Sequence, residues 1–225
     1  HSPYIPQRPP PLTTSPEPPG NLWLAEELWD LDAITFGDFT MGRTAVHSPI
    51  YINLRRLISS PKALRRCAEI IRDEIETLMS MRNPHVQPFT LVAGVPFGGL
   101  HVATAFSLTV STPMIYIHPP GTSKADVIEG AYVRGQSCLV IDDLITGGGS
   151  ILQTAATLAE AGLAVRDAVT LVDRMEGGRP ALKAAGINLV SILTLEQIAN
   201  HLHHRGHIDS QTHARTIAYI DARSR

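Results

Sequence analysis

Short apolar runs alternate with amphipathic stretches over the second half of the chain. Each run is four or five residues long and contains few polar side chains, a pattern typical of strands buried on both faces of a sheet. The runs that predict strands are 89–93, 114–117, 138–141, 168–172 and 189–193. Helical spacing follows two of them, at 100–108 and 150–161. This alternation predicts an α/β fold with a mostly parallel sheet and helices on both faces.

The first residues of the chain have a different pattern. Residues 1–20 contain eight prolines and no apolar periodicity, so we expect a disordered or polyproline-like arm. Order is expected from residue 21, with a short amphipathic helix around 22–31 and a strand or hairpin through 35–40 and 48–53. We therefore assign residues 21–225 to a single domain.

Capping signals predict where two helices begin. Ser60 precedes Pro61 and an apolar face that includes Cys67, which predicts a helix with Ser60 as its N-cap. Thr194 and Gln197 form a capping-box pattern ahead of two expected C-terminal helices. Four histidines follow, at 201, 203, 204 and 207. A solvated helix end is the favoured interpretation of these histidines, and a metal site is the alternative.

Composition and charge disfavour several classes of protein. The 225 residues carry a formal net charge of −2 and are 5% aromatic, so no nucleic-acid partner is expected. No run of about 18 apolar residues exists, and no membrane span is expected. Two cysteines, Cys67 and Cys138, cannot form a disulfide framework. A reducing, cytoplasmic setting fits this cysteine usage best.

The segment from Cys138 to Ser150 contains the most informative chemistry. An apolar strand leads into Asp142 and Asp143, and a glycine-rich loop then leads into a helix. The phosphate candidates are Thr146, Gly147, Gly148, Gly149 and Ser150. Their backbone N–H groups and hydroxyls can surround a phosphate at a helix N-terminus. Since carboxylates repel phosphate and accept hydrogen bonds from hydroxyls, the aspartates are expected to face a ribose. The segment therefore predicts a ribose 5-phosphate site.

Other glycine-rich loops fit this segment less well. A P-loop needs a lysine that this loop lacks, and a dinucleotide fingerprint has its acidic residue well downstream of the glycines. The remaining alternative is an ordinary glycine-rich turn in an α/β protein, with Asp142 and Asp143 acting as caps.

At these residues the sequence resembles the type I phosphoribosyltransferases and, within them, the orotate phosphoribosyltransferases. The segments that carry the resemblance, besides 138–150, are 36–40, 48–55, 94–99, 128–130, 171–174 and 176–178. The resemblance covers roughly residues 28–220. It implies the type I phosphoribosyltransferase fold, in which a central, mostly parallel sheet is flanked by helices. The small N-terminal hood of that fold would correspond to roughly residues 21–57.

The resemblance also implies an activity, with roles for particular residues. Orotate and phosphoribosyl pyrophosphate would give orotidine 5′-monophosphate and pyrophosphate, with Mg²⁺ held through the substrate and no direct protein ligand. Asp142 and Asp143 would hold the ribose hydroxyls, and Thr146 to Ser150 the 5-phosphate. The predicted pyrophosphate contacts are Val95, Pro96, Phe97 and Gly98, and the predicted base contacts are Tyr51, Ile52 and Arg174. Arg174 would bind the orotate carboxylate, the alternative being an ordinary surface ion pair. A homodimer is implied as well.

The chain departs from the family where lysines are usual. The family's mobile loop is rich in lysine, whereas residues 118–126 here contain one, Lys124. The whole chain has only three lysines. Lys124, His118 and Arg43 are the candidate substitutes at the pyrophosphate, with Lys124 as the candidate catalytic residue. Three hypotheses stay open: an orotate phosphoribosyltransferase, a phosphoribosyltransferase for another base, and a paralogue that binds phosphoribosyl pyrophosphate or a nucleotide without turnover.

Overall fold

The computed structural model describes residues 20–41, 45–118 and 127–224. Within these ranges there are eight strands and seven α-helices. The strands are β1 (Ile34–Met41), β2 (Ala45–Ile52), β3 (Leu91–Gly94), β4 (Met114–Ile117), β5 (Ile128–Glu129), β6 (Ser137–Ile145), β7 (Ala164–Asp173) and β8 (Asn188–Thr194). The helices are α1 (Trp23–Asp30), α2 (Pro61–Ser80), α3 (Gly98–Val110), α4 (Gly149–Glu160), α5 (Gly178–Ala184), α6 (Leu195–His204) and α7 (Ser210–Asp221). None of the described helices is long and apolar enough to cross a membrane.

Six strands form the central sheet, in the order β5-β4-β3-β6-β7-β8. All neighbours pair in parallel except β4 and β5, which are antiparallel. The predicted parallel α/β sheet is therefore confirmed. The edge strand β5 was not predicted, because two residues are too few to show an alternating pattern.

Apolar side chains fill both faces of this sheet. Leu139 and Ile141 of β6 belong to one buried cluster, together with residues of α1, α2 and α3. Cys138 and Val140, the alternate residues of the same strand, belong to a second cluster on the other face. This division follows from the two-residue period of a strand. It explains why the strand sequence is continuously apolar.

The strand β6 runs four residues beyond the predicted end at Ile141. Asp142 pairs in register with Thr170, and Ile145 pairs with Asp173. Because the pairing of β6 with β7 continues to Ile145, Asp142 and Asp143 lie within strand β6 rather than in the loop after it. Their backbone positions are thereby fixed by the sheet.

The N-terminal region forms a second, two-stranded sheet. Strands β1 and β2 are antiparallel, with Ile34 opposite Ile52. This confirms the expected hairpin. Its inward side chains, with Leu24 and Leu28 of α1, are buried in the same cluster as one face of the central sheet. The hairpin is thus packed onto the domain, and the end of β2 is held beside the central sheet.

The predicted helix starts are confirmed. The Ser60 hydroxyl accepts a hydrogen bond from the Ala63 N–H at 3.3 Å. Thr194 and Gln197 form the expected capping box at the start of α6. The predicted pair of C-terminal helices corresponds to α6 and α7.

Two of the histidines near the C-terminus, His201 and His207, contact helix α1. Glu26 lies 2.7 Å from His201 Nε2, 2.9 Å from Arg205 Nε and 3.0 Å from His207 Nε2. His201 is buried, so the expectation of a solvated helix end was wrong for this residue. The sequence could not show this contact, because Glu26 lies 175 residues from His201. Within the described part of the chain, no group of three or more His, Cys, Asp or Glu residues is arranged to hold a metal.

Candidate active site

A cavity of about 400 Å³ lies where the hairpin meets the carboxyl end of the central sheet. This is the edge at which open α/β sheets bind their ligands. The residues that line it are Tyr51, Ile52, Asn53, Leu54, Arg55, Pro96, Gly98, Asp142, Asp143, Leu144, Thr146, Ser150 and Arg174. Nine of these were predicted as site residues from the sequence. The structure therefore brings together segments more than 120 residues apart.

The two aspartates lie at the floor of this cavity in different environments. Asp142 is buried, and its Oδ1 accepts a hydrogen bond from the Asp143 N–H at 2.8 Å. Burial, reinforced by the neighbouring charge of Asp143, raises the pKa of Asp142 well above its usual range. Asp143 is only half-buried. The pair can therefore offer carboxyl oxygens to hydroxyl groups of a ligand.

The glycine-rich loop closes one end of the cavity. Thr146 and Ser150 line the main cavity and also a smaller recess, where they are joined by Gly148 and Gly149. Gly148 has φ of 84°, and a Cβ at this position would approach Leu182 Cδ1 to 2.6 Å. Glycine is required there for both reasons. Since α4 begins at the next residue, the recess lies at a helix N-terminus, which favours an anion.

The loop after β3 forms another wall of the cavity. Pro96 and Gly98 line it. Val95 lies beneath the loop, where it is buried and donates its N–H to the Ile141 carbonyl at 2.9 Å. Phe97 is 73% exposed and does not line the cavity. Of the four predicted pyrophosphate contacts in this loop, two thus face the cavity, while Val95 holds the loop on β6.

Arg174 lines the cavity from within the protein core. Its Nε donates to Glu176 at 2.8 Å, its Nη2 donates to the Ser48 hydroxyl at 2.8 Å, and its Nη1 donates to the Ile50 carbonyl at 3.3 Å. Both Arg174 and Glu176 side chains are 2% exposed. A surface ion pair, the alternative considered from the sequence, is therefore wrong. These three bonds leave two of the five guanidinium N–H groups for a ligand.

The end of β2 contributes the remaining wall, through Tyr51, Ile52 and Asn53. Arg55 follows in a 3-10 turn, Leu54–Ser59, and also lines the cavity. Arg55 was not predicted as a site residue. The signal in the sequence was its place directly after the Tyr51–Ile52 segment, but the short 3-10 turn that contains it was not predicted.

Of the three candidate substitutes for the family's lysines, His118 alone lies within the described residues, and it does not line the cavity. Lys124 and Arg43 lie outside the described residues. His118 is described, and its Nε2 lies 2.6 Å from Glu129 Oε1. The His118 N–H also donates to the Val127 carbonyl at 2.8 Å. His118 is thus bonded to Val127 and Glu129, which are described residues.

Comparison with known proteins gives the site its context. Residues 55–188 match the family described as phosphoribosyl transferase domain. The chain is 38% identical over 180 residues to the orotate phosphoribosyltransferase of Chlamydia caviae, covering 78% of this chain and 82% of that protein. The chain belongs to the orotate phosphoribosyltransferase family. The resemblance inferred from the sequence motifs is thereby confirmed, and the fold is the type I phosphoribosyltransferase fold.

Two longer proteins are also similar to this orotate phosphoribosyltransferase family member. Uridine 5′-monophosphate synthase of Bos taurus is 37% identical over 201 residues, covering 88% of this chain and 40% of that protein. The solved structure of the Leishmania donovani UMP synthase has a TM-score of 0.78 and 33% identity, covering 90% of this chain and 42% of that one. The chain therefore spans less than half the length of these two relatives.

Proposed function

We propose that this chain transfers ribose 5-phosphate from phosphoribosyl pyrophosphate to orotate, giving orotidine 5′-monophosphate and pyrophosphate. The observation that carries the proposal is one cavity lined by an acidic pair, a glycine-rich phosphate loop and the end of the hairpin. The C. caviae relative bears the name of this activity. The proposal extends that activity to the present chain.

The substrate's phosphoribosyl part suits the β6-to-α4 segment. The 5-phosphate would accept hydrogen bonds from loop N–H groups and from the hydroxyls of Thr146 and Ser150, at the positive end of α4. The ribose hydroxyls would donate to Asp142 and Asp143. As positive charge develops on the ribose when the pyrophosphate leaves, a nearby carboxylate stabilises it more than it stabilises the ground state.

The orotate ring suits the wall formed by Tyr51, Ile52 and Arg174. The two unused N–H groups of Arg174 can donate to the orotate carboxylate as a fork. Glu176 and Ser48 hold the guanidinium in place, so little side-chain entropy is lost on binding. A planar, anionic base is therefore the ligand that this wall favours.

Mg²⁺ fits this site through the substrate rather than through a protein cage. The carboxylates of the described cavity lining are Asp142 and Asp143 alone, and magnesium in such sites is bound by few carboxylates and by substrate phosphates. When bound, the ion supplies charge neutralisation for the leaving pyrophosphate. The protein's own residues orient the ribose and the base around it.

A second candidate function is binding of phosphoribosyl pyrophosphate without transfer to orotate. The departure from the family's lysine positions favours it. Positions 97 and 98, where many members have a lysine, are occupied here by Phe97 and Gly98. Arginine does not replace lysine in geometry, so the lost contacts bear on the rate more than on binding of the ribose phosphate. The remaining alternative is transfer of ribose 5-phosphate to a base other than orotate.

A spectrophotometric assay separates these functions. The protein is incubated with Mg²⁺, phosphoribosyl pyrophosphate and orotate, and the loss of orotate absorbance is followed. Thr146→Val should lower kcat/KM by about 10-fold or more, since it removes a phosphate donor. Thr157→Val is the matched control, because Thr157 is partly exposed on α4, lies outside the cavity lining and donates to the Gln153 carbonyl. Turnover of a different base alone, or binding with no turnover, contradicts the proposal.

We also propose a homodimer in a reducing, cytoplasmic compartment. The family resemblance supports the dimer, and two unpaired, buried cysteines support the compartment. Sedimentation at micromolar concentration should give twice the monomer mass. A monomer at that concentration contradicts this assembly.

A further inference from the structure

Arg55 differs from the other charged groups that line the cavity. Asp142 and Asp143 contribute negative charge, and Arg174 is neutralised by its ion pair with Glu176. Arg55 forms no ion pair within the described ranges of the chain. It is therefore the one lining cation, among the residues described, whose charge remains available to a ligand.

Neutral acceptors hold the Arg55 guanidinium in place. Its Nε donates to Asn53 Oδ1 at 3.1 Å, and its Nη2 donates to the Tyr51 hydroxyl at 3.4 Å. These contacts restrict the side chain without cancelling its charge. Most of its five N–H groups stay free, and the residue is exposed. Such an oriented, uncompensated fork is suited to binding phosphate oxygens.

Arg55 lines the same cavity as Pro96 and Gly98. The 3-10 turn that contains Arg55 packs on α3, the helix that follows this loop. An effect on His101, in the first turn of α3, is consistent with this position. Burial lowers the pKa of His101 against the opposing effects of Asp143 and the Leu54 carbonyl, and the charge of Arg55 lowers it further. The charge of Arg55 thus acts on His101, which lies next to the loop that corresponds to the family's pyrophosphate loop.

We propose that Arg55 binds the pyrophosphate group of phosphoribosyl pyrophosphate in this chain. The inference rests on the proposed function, since it assigns a residue to that substrate. The 5-phosphate has its own donors at the start of α4, whereas Pro96 and Gly98 carry no charge. A highly anionic pyrophosphate at their end of the cavity needs a cation, and Arg55 is the described lining residue that supplies one.

Calorimetric titration of Arg55→Met with three ligands tests this inference. Affinity for phosphoribosyl pyrophosphate and for inorganic pyrophosphate should fall roughly 10- to 100-fold, as expected for a lost charge-assisted hydrogen-bond pair. Affinity for ribose 5-phosphate should be unchanged. The affinity of Arg55→Lys for the two pyrophosphate ligands should lie between those of Arg55→Met and the unmodified protein, because lysine keeps the charge but loses the forked donor geometry.

Arg56→Met is the matched control. Arg56 is the next residue, is exposed, and donates to the Leu31 carbonyl at 3.2 Å outside the cavity. Equal loss of all three ligands in Arg55→Met, or no loss of the two pyrophosphate ligands, overturns the assignment. If pyrophosphate binding depends on Arg55 but orotate is not consumed, the assignment stands and the proposed transfer to orotate falls. If the unmodified protein binds none of the three ligands, both fall.

Discussion

Gly98 lies directly against the carboxylate of Asp143. A Cβ built on Gly98 would overlap both carboxylate oxygens and the carbon between them. A side chain at position 98 would therefore have to displace the Asp143 carboxylate, which is the flexible end of that side chain.

Gly98→Ala should displace Asp143 and thereby weaken substrate binding. The added methyl group forces the short Asp143 side chain to another rotamer, where it no longer meets the ribose. We expect affinity for phosphoribosyl pyrophosphate to fall by about 10-fold, the cost of one charged hydrogen bond. Calorimetric titration measures it.

A double-mutant cycle gives the control for this prediction. In an Asp143→Ala background, adding Gly98→Ala should cause no further loss of affinity, because the overlapping carboxylate is already gone. If the two losses instead add fully, the effect of Gly98→Ala does not act through Asp143.

Asp142→Asn should make the unliganded protein more stable and bind ribose phosphates more weakly. The amide keeps an oxygen for the Asp143 N–H and removes the cost of a buried charge beside Asp143. The thermal midpoint should rise in calorimetry. A lower midpoint would mean that the Asp142 carboxylate stabilises the apoprotein.

The size of this gain should depend on pH. The raised pKa of Asp142 means that the folded protein keeps a proton that the unfolded chain has lost, so stability falls as pH rises above the unfolded value of 3.8. The difference between Asp142→Asn and the unmodified protein should therefore be larger at about pH 8 than at about pH 4. If the stability difference between the two proteins instead becomes smaller as pH rises, the pKa of Asp142 is not raised in the folded protein.

Arg174→Met should destabilise the fold, independently of orotate. It leaves the Glu176 carboxylate buried, with the Tyr219 hydroxyl at 3.2 Å as its remaining described donor. The expected cost is about 3–5 kcal/mol in urea unfolding, and Arg174→Met combined with Glu176→Met should recover most of it. Arg72→Met, in an exposed ion pair with Asp73, should leave the midpoint unchanged. A small effect of Arg174→Met would mean that Glu176 is not held as described.

Glu26→Gln should remove a pH-dependent contribution to stability. Burial raises the pKa of Glu26, but hydrogen bonds and charges from His207 and His201 outweigh burial and lower it overall. The gain is then fully present above the unfolded value of 4.5 and is lost as pH falls through the folded value. The midpoint difference from the unmodified protein should be large near pH 7 and vanish in acid, while Glu76→Gln, on an exposed position of α2, should give none. A difference that does not change with pH would contradict this account.

Much of the fold and the centre of the site could be predicted from the sequence, because their signals are local. The apolar runs of β4 and β8, the Ser60 cap and the Asp142-to-Ser150 segment each depend on residues close together in the chain. The alternation of strands and helices then brings the carboxyl ends of parallel strands to one edge. That is enough to place the acidic pair beside the phosphate loop.

The parts that could not be predicted depend on contacts between distant segments. The burial of Arg174 follows from Glu176 and from Ser48, which lies 126 residues away. Glu26 of α1 contacts His201 of α6, which lies 175 residues later in the chain. Whether the charge of Arg55 is available to a ligand depends on whether a carboxylate lies beside it in the folded protein. The residues next to Arg55 in the sequence do not indicate this.

A crystal structure of the protein grown with phosphoribosyl pyrophosphate and Mg²⁺ tests the central claim most directly. The account predicts the 5-phosphate on the N–H groups and hydroxyls of residues 146–150, and the ribose hydroxyls within hydrogen-bond distance of Asp142 and Asp143. An empty loop, or a ligand bound elsewhere on the protein, would contradict it.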